Sequence, residues 1–257
     1  MMPDTQQLRS YSHHDQPAML YPIALTNLHR HRCIVIGGGA VAERKVAALL
    51  DAGAQVVVVS PLVTAALGAW AAEGRVQHAG RVYVPGDLEG AFLVIAATDQ
   101  RAVNALVAAE ATERGCLCNV ADAPDSGNFH TMAVVRRDEV TLAVATSGSA
   151  PALAALVRRK LEALFGPEYG ALSRWLREVR TTWGPRLAAT ERVRLARALA
   201  TDEMLALFRE GDAAGVERAL QAQLAHLATP PDSANPSNQA GAGDGATVAP
   251  PSPSSNV

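Results

Sequence analysis

The stretch that decides the fold runs from Cys33 to Lys45 and reads C-I-V-I-G-G-G-A-V-A-E-R-K. Its first four residues are apolar and mostly β-branched, which is typical of a short buried strand. Beyond the three glycines, apolar residues recur at helical spacing as far as Leu50, and Gly53 supplies a stop signal. The stretch therefore predicts a strand, a tight glycine turn and a helix, in that order.

Small residues in this turn follow the pattern G-x-G-x-x-A, formed by Gly37, Gly39 and Ala42. The first glycine permits the tight turn, the second lets the backbone approach a pyrophosphate, and the small third residue lets helix and strand pack closely. The N-terminus of the helix would then present N–H groups to the phosphates. Glycine turns also occur simply to join a strand to a helix, but this strand–turn–helix context favours a dinucleotide site.

The second predicted strand, 55–59, ends without the acidic residue that usually holds the ribose of the cofactor. Ser60 and Pro61 follow it instead, so we expect the 2′-hydroxyl to be held by Ser60 or by backbone groups. No Arg or Lys stands at this strand end to receive a 2′-phosphate. The strand end therefore favours NAD over NADP.

Strand-like and helix-like runs continue to alternate as far as Val120. Further strands are predicted near 76–77, at 92–97 and at 116–120, with helices around 62–70 and after Asp99. This alternation indicates a parallel sheet covered on both faces, which is the α/β Rossmann-type fold.

Polar residues follow two of these strands, at the edge where ligands gather in such sheets. Thr98 or Asp99 is predicted to cap the next helix, in which Val103 and Leu106 would share a face with Val107. Asp122 follows a buried strand, has no obvious helix to cap, and precedes a loop that would overhang the nicotinamide. Asp122 is therefore the candidate acid–base residue.

From about Phe129 the pattern changes to an antiparallel hairpin, whose apolar runs flank the tetrapeptide at 136–139, and then to helices after Pro151. Both ends of the chain are too polar, or too rich in Pro, Gly and Ser, to offset the entropy of ordering. The predicted divisions are a disordered N-terminus at 1–19, an NAD-binding Rossmann domain at 20–125, a β segment at 126–150, a helical domain at 151–228 and a disordered tail at 229–257.

Composition excludes several classes of protein. The 257 residues carry a formal charge of −2, which argues against a general nucleic-acid binder. No apolar run approaches the ~20 residues of a membrane span, and no signal region opens the chain, so a cytoplasmic protein is expected. Cys116 and Cys118 could be read as metal ligands, but their spacing favours buried core thiols, and no metal site is predicted.

Five motifs together resemble the precorrin-2 dehydrogenase/sirohydrochlorin ferrochelatase family, the dehydrogenase–chelatase module of siroheme synthases. The resemblance covers about 20–180. In chain order the motifs are L-Y-P-I-A-L, V-I-G-G-G-A-V-A-E-R-K, I-A-A-T-D, C-N-V-A-D-A-P and T-S-G-S-A-P, the last followed by a basic helix.

This resemblance implies an NAD-dependent oxidation of precorrin-2 to sirohydrochlorin and, in bifunctional members, insertion of Fe2+ to give siroheme. It also implies a homodimer that exchanges the β segment at 126–150 and the helices, with Asp122 as the acid–base residue. Cofactor contacts are implied or expected at Gly37, Gly39, Ala40, Val41, Ala42, Ser60, Pro61, Leu62, Thr98 and Asn119.

Departures from the family pattern leave some roles open. Members often carry Phe-x-x-Pro after the aspartate loop, whereas this chain has Phe129-His130-Thr131-Met132, and His130 is either a ligand contact or a structural residue. Thr146 falls at a serine that is phosphorylated in some relatives. No methyltransferase domain is predicted after the helical segment, so we expect precorrin-2 to come from a separate enzyme.

The carboxylates of the substrate should meet basic groups. Five basic residues are candidates for these contacts, and each is equally consistent with a solvated surface. They are Arg136, Arg137, Arg158, Arg159 and Lys160.

Two alternatives to the bifunctional enzyme remain open at this stage. One is a dehydrogenase that leaves iron insertion to another protein. The other is a regulatory module that senses NAD without catalysis and needs neither Asp122 nor a basic cleft.

Overall fold

The computed structural model describes residues 20–148 and 150–228. The disordered segments predicted at 1–19 and 229–257 lie outside these residues. The chain divides into two compact units, with the boundary between Gly166 and Pro167 rather than near residue 150. The predicted division into five segments stays a prediction.

A five-stranded parallel sheet forms the centre of the first unit, with the strand order β3-β2-β1-β4-β5. This confirms the α/β Rossmann-type fold class. The strands are β1 (Arg32–Ile36), β2 (Gln55–Val59), β3 (Val76–Ala79), β4 (Ala91–Ala96) and β5 (Leu117–Val120).

Helices cover both faces of this sheet because β1 is apolar on both sides. Successive side chains of a strand point to opposite faces, so Cys33 and Val35 join one core cluster while Ile34 and Ile36 join the other. The helices of this unit are α1 (Ala40–Asp51), α2 (Ala65–Ala72), α3 (Arg101–Glu113) and α4 (Pro151–Leu164).

The predicted hairpin is present as β6 (Ala133–Arg137) and β7 (Val140–Val144), which pair antiparallel from Ala133 opposite Val144. Asp138 turns the chain with a φ of 53°. Helix α4 packs against both strands and so belongs to the first unit.

The described part of the second unit, 167–228, contains four α-helices: α5 (Pro167–Trp183), α6 (Ala189–Leu199), α7 (Asp202–Glu210) and α8 (Ala213–Ala228). Its core includes Leu172 and Met204 in one cluster and Val179 with Leu199 in another. In the part of the chain that the structure describes, no helix is both long enough and apolar enough to cross a membrane.

Two local predictions for α3 are wrong. The N-cap residue is Gln100 and not Thr98 or Asp99. The Thr98 hydroxyl accepts a hydrogen bond from Gln100 N (3.1 Å), and Gln100 precedes the first helical residue. Leu106 is 56% exposed, whereas Val107 is fully buried against the sheet. The face of α3 that covers the sheet passes through Val107 and Ala111 instead.

Candidate active site

A cleft of about 770 Å³ opens at the carboxyl edge of the parallel sheet. The glycine turn forms its floor, the segment after β2 forms one side, and Thr98 with its neighbours forms the other. Its lining contains eight of the ten predicted cofactor residues, namely Gly37, Gly39, Ala40, Val41, Ser60, Pro61, Leu62 and Thr98. Ala42 is fully buried behind the turn, and Asn119 lines a different cleft.

The three glycines of the turn have different neighbours. A Cβ on Gly37, whose φ is 119°, would lie 2.4 Å from the carbonyl oxygen of Ala97, and a Cβ on Gly38 would lie 2.0 Å from that of Leu62. A Cβ on Gly39 would meet no atom within 4 Å. Gly37 and Gly38 are therefore required by neighbouring backbone, while Gly39 leaves space that a ligand can occupy.

Helix α1 begins directly at this space. Gly39 is its N-cap residue, and within the described residues no side chain caps the helix. The first N–H groups of a helix have no partner inside it and favour an anion. The turn therefore fits a pyrophosphate in the way the glycine pattern predicts.

Ser60 is more constrained than the sequence indicates. Its side chain is 7% exposed, and its hydroxyl donates a hydrogen bond to the carbonyl oxygen of Leu62 (2.6 Å). The hydroxyl proton is thus committed to the protein. Ser60 can meet a ribose 2′-hydroxyl only as an acceptor, and its role stays a prediction.

The electrostatics of this cleft suit a cofactor without a 2′-phosphate. Among the described residues that line it, Asp99 alone carries a charge. Arg81 is the first cationic residue after β3 in the sequence. Its guanidinium donates two hydrogen bonds to Asp87 (2.7 and 2.6 Å). The hydrogen bonds from Arg81 lower the pKa of Asp87, which keeps this pair ionised.

Asp122 stands beside this cleft and is held by a buried amide. Asn104, 1% exposed, donates a hydrogen bond from Nδ2 to Asp122 Oδ1 (2.7 Å). The other carboxylate oxygen lies 3.6 Å from Nε of Arg101, whose side chain is 90% exposed. Asp122 lines neither cleft directly, but its side chain remains 32% exposed and can meet a ligand.

A second cleft, of about 450 Å³, adjoins the first at Val41, which lines both. Arg44 and Lys45, one turn further along α1, place two cations in it, and His130 also lines it. Burial and the neighbouring Arg44 lower the pKa of Lys45, whose ammonium donates to the hydroxyl of Thr131. This cleft is therefore suited to anionic groups.

Asn119 lines the second cleft and brings an unsatisfied acceptor to it. The side chain is 5% exposed, and Nδ2 donates to the carbonyl oxygen of Phe129 (3.1 Å). Among the described residues, Oδ1 has no hydrogen-bond partner. A buried acceptor without a donor is costly, so a ligand N–H or O–H is the natural partner. Its predicted cofactor role remains untested.

The basic residues that the sequence offered for substrate binding lie elsewhere, since none of the five lines either cleft. Arg137 donates to the carbonyl oxygens of Phe165 (2.8 Å) and Glu162 (2.9 Å) at the C-terminus of α4. Arg158 pairs with Glu162 within the helix (2.8 Å). Thr146 does line the second cleft.

The cysteines are core thiols, as their spacing indicates. Cys33, Cys116 and Cys118 are buried and form no disulfide. Burial raises the pKa of Cys33 and of Cys118 to about 11, so these thiols are protonated at neutral pH. Within 20–148 and 150–228, no group of three or more His, Cys, Asp or Glu residues could hold a metal ion.

Comparison with known proteins agrees with the fold. Residues 24–133 match the family model described as "Putative NAD(P)-binding". The fold and the glycine turn thus define a Rossmann-type NAD(P)-binding domain. The predicted nicotinamide dinucleotide cofactor is confirmed at this level.

Over 163 residues the chain is 41% identical to "Siroheme synthase" of Methylobacillus flagellatus. The aligned segment covers 63% of this chain and 35% of that protein. "Siroheme synthase 1" of Aeromonas salmonicida is 37% identical over 187 residues, or 72% of this chain and 40% of the relative. The chain thus spans little more than a third of the length of these relatives, and the similarity confirms the resemblance that the five motifs predict.

The fold is also found in a solved structure. This structure is named "SirC, precorrin-2 dehydrogenase" and superposes with a TM-score of 0.70 at 24% sequence identity. The match covers 80% of this chain and 100% of that one. The shared architecture therefore extends beyond the Rossmann domain.

Proposed function

We propose that this chain is an NAD-dependent dehydrogenase that oxidises precorrin-2 to sirohydrochlorin in siroheme biosynthesis. The observation that carries the proposal is the pair of clefts that adjoin at Val41. The first has a glycine floor and, among the described residues, no cation in its lining, whereas the second contains Arg44 and Lys45. We therefore assign the dinucleotide to the first cleft and carboxylates of the tetrapyrrole to the second. The similarity to siroheme synthases and the fold shared with SirC support this assignment.

The residues of the first cleft would hold NAD in a defined direction. The pyrophosphate would lie over Gly39 at the start of α1, and the adenosine side would lie against Pro61 and Leu62. Leu62 is 82% exposed, which leaves its apolar side chain available for a ring. Because no cation of residues 20–148 or 150–228 lines the cleft, a 2′-phosphate would find no partner among them, which supports NAD over NADP.

Asp122 is proposed as the base of the oxidation. The cofactor supplies a hydride acceptor, and loss of a hydride from precorrin-2 leaves a proton that must also depart. A positioned carboxylate can take that proton. We assign this step to Oδ2, because Oδ1 already accepts a hydrogen bond from Asn104 Nδ2, whereas the nearest partner of Oδ2 is the solvent-exposed Arg101 at 3.6 Å.

The second cleft would hold the carboxylates of the tetrapyrrole. Charge-assisted hydrogen bonds from Arg44 and Lys45 are stronger than those between neutral groups. The unsatisfied Asn119 Oδ1 would accept a hydrogen bond from a pyrrole N–H. The resemblance further implies a homodimer, and we include a dimer in the proposal.

We also propose that Fe2+ is inserted as a second substrate at the same site. Insertion strips pyrrole N–H protons as the ion enters, so one carboxylate can serve both steps. Weak oxygen ligands that release the ion are better suited to this role than a tight cage. The carboxylate of Asp122 is the group that we expect to take part.

The deciding experiment supplies precorrin-2 and NAD+ to the purified protein and follows the absorption of sirohydrochlorin, then adds Fe2+. Oxidation by the wild-type protein and its loss in Asp122→Ala are the expected results. An unaltered rate in Asp122→Ala would refute the proposed base. Binding of NAD+ without oxidation would favour an NAD-sensing module, and oxidation without iron insertion would leave a dehydrogenase alone.

A further inference from the structure

A fully buried asparagine connects the two strand ends that form the proposed site. Asn104 lies in the second turn of α3, on the side that packs Val107 and Ala111 against the sheet. It is 1% exposed. Burying a primary amide among apolar side chains is unfavourable unless its hydrogen bonds are made. The position therefore needs an explanation in terms of its partners.

All four hydrogen-bonding positions of this amide are used. Nδ2 donates to the carbonyl oxygen of Thr98 (3.0 Å) and to Asp122 Oδ1 (2.7 Å). Oδ1 accepts from the backbone N–H of Thr98 (3.2 Å) and from its hydroxyl (2.7 Å). A backbone N–H can only donate and a carboxylate can only accept, so the partners fix which way the amide points.

We propose that Asn104 is a positioning residue that orients the Asp122 carboxylate for the reaction. This inference rests on the proposed function, since it takes Asp122 as the base. By donating to Oδ1 the amide fixes the rotation of the carboxylate, and Oδ2, whose contact with the solvent-exposed Arg101 is long at 3.6 Å, is left to receive the proton. Through its remaining bonds it ties Asp122 to Thr98, which lines the cofactor cleft. Asn104 thereby sets the base relative to the nicotinamide cofactor.

Other side chains at this position would not reproduce the arrangement. Aspartate would place a second carboxylate against Asp122, and leucine would leave Oδ1 of Asp122 and the polar groups of Thr98 without their partner. Only a primary amide combines the two donors with the two acceptor positions that these neighbours require. The role therefore depends on hydrogen bonding and not merely on filling the core.

The test measures kcat and KM for precorrin-2 oxidation in Asn104→Ala, alone and combined with Asp122→Ala. We expect kcat to fall about tenfold or more in the single variant, with the KM for NAD+ changed by less than about twofold. Residues that act as a unit are non-additive. In the Asp122→Ala background the same change should therefore alter the residual rate by less than about twofold.

Val107→Ala is the matched control, because it removes buried volume from the same helix one turn away, and valine has no side-chain polar atom that could take part in the network. It should lower the Tm and leave kcat unchanged, which separates lost stability from lost positioning. If Asn104→Ala fails to fold, Asn104→Ser is measured in the same way.

An unchanged kcat in the Asn104 variant, or an equal loss with and without Asp122, would overturn the positioning role. Full activity of Asp122→Ala would instead refute the proposed base. The failure of this inference is thus distinguishable from the failure of the proposed function.

Discussion

At the scale of single residues, substitution of two neighbouring glycines should affect two different properties, the affinity for NAD+ at Gly39 and the stability of the fold at Gly38. In Gly39→Val the new side chain would enter the space that a pyrophosphate needs, since a Cβ there meets no protein atom within 4 Å. We expect the Kd for NAD+ to rise more than about tenfold, or ~1.4 kcal/mol, while the Tm without ligand is kept. Isothermal titration and calorimetry on the same sample measure both quantities.

Gly38→Ala is the matched variant. Its Cβ would lie 2.0 Å from the carbonyl oxygen of Leu62, so backbone must move. Forcing atoms into a packed region costs about 1–3 kcal/mol, and we expect a lower Tm. If Gly39→Val binds NAD+ with wild-type affinity, the assignment of the cofactor to this cleft is wrong.

Lys45 gives a second test at this scale. Lys45→Met keeps the length of the side chain but removes the ammonium from the second cleft. The KM for precorrin-2 should rise about tenfold with kcat nearly unchanged, because a charge-assisted contact present in both ground and transition states is lost.

Lys160→Met removes the same charge from an exposed position of α4 outside both clefts and serves as the control. Equal effects of the two substitutions on the KM for precorrin-2 would mean that net charge matters, and that the second cleft does not hold the substrate.

The sequence identified the residues whose role depends on local pattern, and it missed those whose role depends on distant neighbours. Gly39 follows from its place between a strand and a helix. Gly38 and Asn104 have no local signal, since the contact of one with Leu62 and of the other with Asp122 exists only after the sheet has formed. Their importance is a consequence of tertiary structure.

At the scale of elements, the segment between β3 and β4 is held by carboxylates. Asp87 accepts from Arg81 and from the backbone N–H of Val84 (2.9 Å), and Glu110 accepts from the backbone N–H of Gly86 (3.0 Å). Tyr83, which lines the cofactor cleft, also donates its hydroxyl to Glu110. These bonds fix one wall of the cleft.

Asp87→Asn should therefore destabilise the protein in a pH-dependent way. The hydrogen bonds from Arg81 hold the pKa of Asp87 below its usual range. The unfolded chain consequently binds this proton more readily, so the stabilisation is complete above the unfolded pKa of ~3.9 and is lost as pH falls through the folded pKa. We expect a Tm lower by roughly 2–4 °C at pH 7.

The measurement is the difference in Tm between wild type and Asp87→Asn at pH 7 and at about pH 3. The difference should shrink at the lower pH, where the carboxyl of Asp87 in the unfolded chain takes up its proton more readily than in the folded chain. A difference that stays constant over this range would show that the charge of Asp87 is not what stabilises the loop.

Helices and strands were predictable where the local pattern of apolar residues fits one kind of element. The apolar runs of β1 and β4 have no polar alternation, which indicates burial on both faces and hence a parallel sheet. The capping of α3 was not predictable, because the hydroxyl of Thr98 is engaged with Asn104 and Gln100. The grouping of α4 with the hairpin likewise depends on packing that no local pattern reveals.

At the scale of the whole molecule, an apolar surface of the first unit remains exposed beside the hairpin. Leu153 and Leu156 of α4 are 50% and 41% exposed, and their spacing of three residues places them on the same face of the helix. A two-stranded sheet such as β6–β7 is marginally stable unless it packs against other elements. Helix α4 already packs against this hairpin, and a second copy of the chain would bury the leucines that α4 leaves exposed, which fits the proposed homodimer.

Sedimentation equilibrium of the whole chain should therefore give twice the subunit mass of 26.9 kDa. Leu153→Glu would place a charge in the proposed interface, where burial without a partner is unfavourable, and we expect it to shift the mass toward the monomer. Val193→Glu is the control, because Val193 is equally exposed (51%) but lies on α6 of the second unit. A monomeric wild-type protein would contradict this assignment of the dimer interface. Dissociation by both variants alike would contradict it too, because a contact through α4 should be sensitive to Leu153→Glu and not to Val193→Glu.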